Sequence, residues 1–598
     1  METEILIVLV IMAMTVIMLV TEVVRIDVAA IITMLALSWT GVLSASEALS
    51  GFSSNAVVAM IAVMIMGEGI SRTGMMSRFS KALMKRTGKN KTGILGALTL
   101  SVGGISGVIQ NIGAAALFLP SILDISRRAR ISASVLIMPV GFAAILGGTL
   151  TMVGSGHLIL TNDLLMAAGL EPYGLFSVTP IGVLLLLSAL LLFLFLGKYL
   201  LPQETAKGKK ALTEQEKVIR AFRLSKNNFH FYRIPEKSPL AGQTIEQCGV
   251  WGTYHLNIVA VSKKKQVLYA PWRETVLEKS QIVALYGEEE NIEAFVKDFG
   301  LHAVPEAHKI KDLDDASETG FVEVIVPPRS GLVGMSVRDF SMRKRYGVEP
   351  LIIFRKGERI DGDLSDEKVE QGDTIIVFGP WMNIRDVEKS DSFLVATPFQ
   401  VEPRDPSKTW VAIGSFGLAI VLAMSGFSIA IAFLTGALAM VLSRVMSIQD
   451  AYRAIEWKVV FLLVGLIPLG VAMQNSGTAE FLARGVMGVV DGSPVFILLL
   501  TVAILSTVFS LVMSNVGAVV VLAPLVVSIG LLSDLDPRPL VLLAAVCAGN
   551  SFVLPTHQVN ALLMTAGGYK TRDYFKAGGG MTLVFLAVAV SYFYFVYF

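Results

Sequence analysis

Apolar runs long enough to cross a bilayer constrain this chain more than any other feature of it. Ten predominantly apolar stretches (3–20, 27–43, 53–70, 133–153, 177–200, 408–424, 428–444, 456–473, 540–556 and 577–598) each have about the 17 to 25 residues that a membrane-spanning helix needs. Only 16% of the residues are charged, against about 25% in soluble chains, so a wholly water-soluble fold is excluded. The net charge is +2 and the basic residues are spread among loops, which gives no basic face for nucleic acid. The two cysteines, Cys248 and Cys547, lie in different zones and suggest neither a disulfide framework nor a metal cluster. The first run has acidic flanks, Glu2 and Glu4, and no small-residue cleavage site, so it reads as a retained first span.

Two further apolar stretches, 92–123 and 492–533, are about twice too long for one span. Lys81, Lys85, Arg86, Lys89 and Lys91 precede the first, and Arg127, Arg128 and Arg130 follow it. Both clusters belong on the cytoplasmic side by the positive-inside rule. The stretch must then enter the membrane, turn at Gln110-Asn111-Ile112-Gly113 and return, as a re-entrant helical hairpin. Counting spans onward places 203–406 in the cytoplasm, opens 492–533 to the opposite side and leaves the N-terminus outside.

The membrane part repeats. Gly67 and Gly74 match Gly470 and Gly477, and Asn111, Gly113 and Pro120 match Asn515, Gly517 and Pro524. The repeat unit covers roughly 26–200 and 408–598, its two copies inverted relative to each other. The charged, alternating stretch 203–406 has the pattern of half-buried strands and a repeat of its own. Ser238-Pro-Leu-Ala-Gly242 matches Ser330-Gly-Leu-Val-Gly334, Tyr254 matches Tyr346, and Tyr286-Gly287 matches Phe378-Gly379. Each copy reads as strand, turn, helix, strand, hairpin, strand and final helix. The expected organisation is therefore an all-α polytopic membrane protein with inverted repeats and two re-entrant hairpins, into which a pair of small α/β domains is inserted. Its boundaries are 1–202, 203–310, 311–406 and 407–598.

Non-helical backbone survives inside a membrane only where it lines a cavity or is buried in protein. Inverted repeats with broken helices near the midplane are the pattern of secondary transporters. The sequence has four such breaks, two in each half: the tips at 110–113 and 514–517, and the interruptions Thr149 to His157 and Asn550 to Asn560. Half-helix N-termini attract anions, while exposed carbonyls and Asn or Thr oxygens suit a hard cation such as Na⁺. The candidate substrate-binding residues are Asn111, Gly113, Ser155, His157, Ser514, Asn515, Gly517, Thr556 and His557. The candidate sodium ligands are Asn111, Thr149, Gly154, Asn515, Asn550 and Asn560. Each histidine could equally be a packed imidazole, and Glu68 reads as an interfacial charge. No carboxylate sits at the tips, which argues against a cation–proton antiporter. Thr151-Met-Val-Gly-Ser-Gly156 resembles a potassium-filter strand, but the matched segment Phe552-Val-Leu-Pro-Thr-His557 does not, and a filter needs four such strands.

The paired hairpins with Asn tips, each followed by a broken helix, resemble the divalent anion–sodium symporter family over about 26–200 and 408–598. The tips here read Gln110-Asn111-Ile112 and Ser514-Asn515-Val516, where that family usually has Ser-Asn-Thr. The inserted repeats are similar to the C-terminal domain of potassium-conductance regulators, the TrkA-C type. The second copy is the better match, with Gln371-Gly-Asp373 where the first has Lys279-Ser-Gln281. No Gly-rich dinucleotide fingerprint occurs between 203 and 406. Tandem copies inside such a carrier resemble the sulfate-transporter branch. The resemblance implies a homodimer in the inner (plasma) membrane, elevator-like alternating access, sodium-coupled sulfate uptake and no enzymatic chemistry. A C4-dicarboxylate carrier and a regulated channel or antiporter remain the alternatives. For the TrkA-C pair it implies either a structural clamp or a sensor of a small nucleotide such as cyclic di-AMP. Arg355 and Lys356 read as a solvated basic hairpin that could also meet phosphates.

Overall fold

Polar and small residues set the ends of the apolar helices. The hydroxyl of Ser54 accepts a hydrogen bond from the Val57 amide and starts one helix. Gly148 and Gly549 end two others, as residues that close a helix C-terminus without a side chain to place. The computed structural model describes residues 2–21, 23–75, 90–129, 131–202, 229–263, 266–304, 319–328, 330–355, 358–360, 366–388, 390, 392–396, 406–490, 492–555 and 557–598. Lys81, Lys85, Arg86, Lys89, Arg130, Lys356 and Thr556 lie outside the described residues. The chain falls into two compact units, residues 1–210 with 404–598, and residues 211–403.

In the first half of the apolar unit run α1 (Glu2–Thr21), α2 (Ile26–Trp39), α3 (Asn55–Arg72), α4 (Lys91–Ser106), α5 (Asn111–Ala129), α6 (Ala133–Gly147), α7 (Gly156–Ala167) and α8 (Thr179–Phe195). The stretch expected as a hairpin is thus two helices, α4 and α5, that pack on each other across a four-residue break, 107–110. The run 133–153 stops at Gly147, and α7 follows as a separate helix within what reads in sequence as one interruption and a loop.

The second unit comes next in the chain. Its first copy holds β1 (Phe229–Arg233), β2 (Asn257–Lys263), β3 (Gln266–Tyr269), β4 (Ile282–Tyr286), α9 (Glu289–Phe299) and β5 (His302–Ala303). Its second holds β6 (Thr319–Ile325), β7 (Glu349–Arg355), β8 (Glu358–Arg359), β9 (Thr374–Pro380), α10 (Trp381–Glu388) and β10 (Leu394–Val395). The two antiparallel sheets run β3-β2-β4-β1-β5 and β8-β7-β9-β6-β10, the same order in equivalent strands. Two details differ from the sequence reading. A fifth short strand follows each final helix, and the helix expected before β2 is a run of turns in the first copy. Glu289 and Glu290 in the first turn of α9, Lys297 in its last and left-handed Gly300 beyond it favour that helix electrostatically and sterically. The sheets share a core: Phe229 of β1 packs against Phe321 and Phe378, ring centroids 6.0 and 5.0 Å away.

The second half of the apolar unit holds α11 (Thr409–Met424), α12 (Ile429–Leu442), α13 (Trp457–Asn475), α14 (Thr478–Val490), α15 (Val495–Met513), α16 (Asn515–Leu532), α17 (Pro537–Ala548), α18 (Gln558–Gly567) and α19 (Thr571–Tyr597). α14 is amphipathic and went unread in the sequence; 540–556 stops at Ala548. Six helices among the described residues are long and apolar enough to cross a membrane, and several shorter apolar ones accompany them. Equivalent elements of the halves pack crosswise. α2 lies on α13 and α12 on α3. α7 lies on α16 and α17, while α18 lies on α5 and α6. This exchange brings each helix that follows a break against the hairpin arm of the other half. Arg72 adds a polar tie, bonding Glu68 at 2.6 Å and Asp450 of the other half at 2.9 Å.

Candidate functional site

The first half gathers its polar groups where α4, α5, α6 and α7 meet. Asn111 is the first residue of α5, so its side chain stands at a helix N-terminus. Its Oδ1 accepts from Ser106 Oγ at 3.0 Å, and its Nδ2 donates to Ser155 Oγ at 3.4 Å. Gly148 lies beneath this pair: a Cβ there would fall 2.1 Å from Ser155 Oγ and 2.5 Å from Asn111 Oδ1. Only glycine leaves the two side chains room. Gly154 packs on the backbone of Gly148, and its amide donates to Thr151 Oγ1. Thr151 in turn donates to Gly107 O in the hairpin break. The Thr149 hydroxyl turns back to Leu146 O at the end of its own helix. Gly113, the last residue of the tip, is exposed.

The second half repeats the tip-to-break contact with a different polar load. Ser551 Oγ donates to Asn515 Oδ1 at 2.8 Å. Ser514 caps α16 by accepting from the Gly517 amide, and its φ of 127° lies in a region that L residues rarely occupy. Asn550 is fully buried and points away from the tip; it donates to Thr507 Oγ1 at 3.2 Å and accepts from Thr582 at 3.0 Å. Asn560, 1% exposed, donates to Ser551 O at 2.8 Å, while its Oδ1 has no partner. Tyr574 holds the Asn560 carbonyl from α19. Gly517 is buried, and the Val559 amide donates to His557 Nδ1 at 3.3 Å.

His157 belongs to the first half but stands against the second break. A Cβ on Gly549 would lie 3.4 Å from its Nε2, which is buried without a partner. His157 is also within electrostatic range of His557. The structure therefore joins Asn111 to Ser155, and Asn515 to Ser551 and onward to Asn560. It does not join Asn550 to Asn515 or Thr149 to Asn111.

Sequence reasoning missed Ser106, Ser551, Thr507, Thr582 and Gly148. A spacing signal existed for part of the set: Thr507, Ser510 and Ser514 recur at three and four residues, one face of a helix leading to the tip. Asp163 was missed as well. It lies in α7 and accepts from Ser54 Oγ and from the Ala56 amide, so its carboxylate caps the N-terminus of α3. No group of three or more His, Cys, Asp or Glu able to hold a transition-metal ion occurs among the described residues. The donors present are amide, hydroxyl and carbonyl oxygens, which suit a hard monovalent or divalent cation.

The chain is similar over nearly its whole length to the uncharacterized transporter YfbS of Escherichia coli K12, 27% identical across 99% of this chain and 98% of that one. It is also similar to sodium/sulfate cotransporter 2 of Chlamydomonas reinhardtii, 23% identical over 61% of this chain and 40% of that one. A solved RCK domain of GsuK aligns at 11% identity over 28% of this chain and 64% of that one, with a TM-score of 0.15, too low to bear on the inserted unit. The profile of the citrate transporter family (CitMHS) matches residues 16–547 and 480–598. Its span takes in both helix breaks and both hairpin tips, and the chain belongs to that family of membrane transporters.

Proposed function

We propose that this transporter carries a small divalent oxyanion, sulfate first, together with sodium, by alternating access between two inverted halves. One observation carries the reading. Each half pairs a tip asparagine at a helix N-terminus with a serine of its own broken helix, in surroundings free of carboxylates at the tips. Helix N-termini supply N–H groups and partial positive charge for an anion without a titrating partner. The unpartnered, buried Oδ1 of Asn560 and the oxygens of Asn515 and Ser551 fit a hard cation, which would satisfy that orphaned acceptor. The crosswise packing of α7 and α18 supports an inverted pair, because each half's helix after its break then rests on the hairpin arm of the other half. The hairpins would be re-entrant, the inserted unit cytoplasmic, and the assembly a homodimer in the plasma membrane.

Sulfate is favoured because a relative bears the name sodium/sulfate cotransporter. The family's description favours citrate or another carboxylate as the second reading. Uptake of labelled sulfate into proteoliposomes, with and without an inward sodium gradient, separates them. Saturable, sodium-dependent sulfate uptake that excess citrate and succinate leave intact is the expected result. Sulfate uptake absent under both conditions, with labelled citrate or succinate accumulating instead, overturns the choice of substrate. Uptake indifferent to sodium overturns the coupling.

A further inference from the structure

In the inserted unit, the two α/β copies enclose a cavity of about 270 Å³. Its walls come from the same segment of each copy. Glu246, Gly249, Val250 and Trp251 line one side, and their equivalents 92 positions on, Arg338, Ser341, Met342 and Arg343, line the other. The cavity thus lies where the internal repeat meets itself. Its charge is not symmetric, because the second copy places arginine opposite Glu246 and opposite Trp251.

With Arg273, three guanidinium groups line the space, and Glu246 is the one carboxylate that lines it with them; the carboxylate partners of Arg338 and Arg343 lie outside the lining. Glu246 offsets Arg273 only loosely, at 3.8 Å. Arg338 is paired outward with Asp366 at 3.0 Å. Arg343 bridges the copies, reaching Glu349 of its own copy and Asn257 of the other, the latter at 3.4 Å. Two donors at this place are buried without any acceptor: the indole Nε1 of Trp251 and Nε of Arg273. Buried donors left unmade cost about 1–3 kcal/mol each, and such groups are rare unless something supplies the acceptor. Apolar side chains, among them Val250, Met342 and Trp272, complete the wall.

We propose that this cavity binds a dianionic phosphate or sulfate group. The anion's oxygens would accept from Trp251 Nε1–H and from the guanidinium of Arg273, with Arg338 and Arg343 supplying field and further donors. The group can arrive as the free ion or as the head of a phosphomonoester whose body rests on the apolar wall. The site is separate from the one proposed for transport and does not depend on it.

The test is isothermal titration of the full chain in detergent with three probes: sodium sulfate, inorganic phosphate and AMP. Measuring in an Asn515→Ala background weakens the contribution of the proposed transport site to the signal. Binding of at least one probe is expected there. It should weaken at least about tenfold, or about 1.4 kcal/mol, in Arg273→Ala. Arg273 is more than one-third exposed, so its removal should spare folding. Trp251→Phe keeps the ring, removes the N–H and should weaken binding by a smaller factor. Preference for AMP over both ions identifies an ester as the ligand, and equal binding of the ions identifies the free anion. No binding of any probe up to millimolar concentration, or binding that Arg273→Ala and Trp251→Phe both leave unchanged, overturns the proposal.

Discussion

Ser551 Oγ donates to Asn515 Oδ1 at 2.8 Å, tying the break between α17 and α18 to the first residue of α16. The equivalent contact in the other half has its polarity reversed, with Asn111 Nδ2 donating to Ser155 Oγ. In the second half the asparagine oxygen already accepts, and its amide N–H groups are left toward the tip. In the first half one amide N–H is spent on the serine, and the oxygen accepts from Ser106. The two halves therefore offer a ligand different groups from the same pair of residue types.

That difference predicts unequal effects of removing the two asparagines. Asn515→Ala deletes both the acceptor for Ser551 and the free amide. Anion uptake should fall at least about tenfold, the equivalent of about 1.4 kcal/mol, while the variant still elutes as a folded species on size exclusion. Ser551→Ala leaves Asn515 Oδ1 without its donor, at a stability cost of about 1–3 kcal/mol, and should raise the sodium concentration needed for half-maximal uptake. Wild-type uptake in Asn515→Ala would remove this residue from the site.

Ser514 occupies φ 127° and ψ 159°, a region nearly reserved for glycine, at a cost of about 1–3 kcal/mol for other residues. Alanine normally stabilises structured backbone relative to glycine by limiting the unfolded chain. Here the order should reverse. Ser514→Gly and Ser514→Ala both lose the bond to the Gly517 amide, but only the glycine relieves the backbone. Thermal unfolding should show the glycine variant as the more stable of the two. The reverse ranking would mean that the tip is unstrained.

Much of this was legible in the sequence, and the reasons differ by region. That 92–123 and 492–533 each form two helices around a short break could be read because charge-free stretches of double length with Asn-X-Gly in the middle are too long for one span. The break positions could be read because Thr149 to His157 and Asn550 to Asn560 are rich in Gly, Ser, Thr, Asn and Pro, which favour neither a plain helix nor lipid. What escaped was any contact between elements distant in sequence. Ser106 sits in an unremarkable Gly-Ile-Ser-Gly run, and its role comes only from α4 lying on α6, where it also donates to Ala144 O. His157 shows no sequence sign that it faces Gly549 of the other half. Asp163 reads as an ordinary polar residue until α7 is seen at the start of α3. Arg355 read as a solvated basic hairpin, yet it forms ion pairs with Glu367, Glu370 and Asp373.

The Arg355 cluster gives a stability prediction for the inserted unit. Asp373 is 1% exposed; both its oxygens accept from Arg355, and one also accepts from the Glu370 amide. Removing one partner of a buried pair strands the other charge, at about 3–5 kcal/mol. Arg355→Ala should therefore lower the unfolding transition of this unit sharply. Arg355→Lys should recover only part of the loss, because an ammonium cannot reproduce the forked contact. A loss of under about 1 kcal/mol in Arg355→Ala, the range of an exposed pair, would contradict the arrangement.

Glu349 gives a pH dependence with a definite sign. Its side chain is fully buried, Oε1 bonds Arg343 at 2.5 Å and Oε2 has no partner. Burial pushes its carboxyl above the ordinary glutamate value of 4.5, with Arg343 pulling in the opposite direction. An acid with a raised folded-state pKa holds its proton more tightly when folded. Its stabilising contribution is complete below the ordinary value and is lost as pH rises through the raised one. Glu349→Gln keeps the shape and one acceptor but cannot titrate. The stability of the natural protein relative to this variant should therefore decline as pH climbs above 4.5. Thermal unfolding of both full-length proteins across that range measures the decline. A difference that stays flat, or that moves in favour of the natural protein with rising pH, would show that the Arg343 contact outweighs desolvation at this carboxyl.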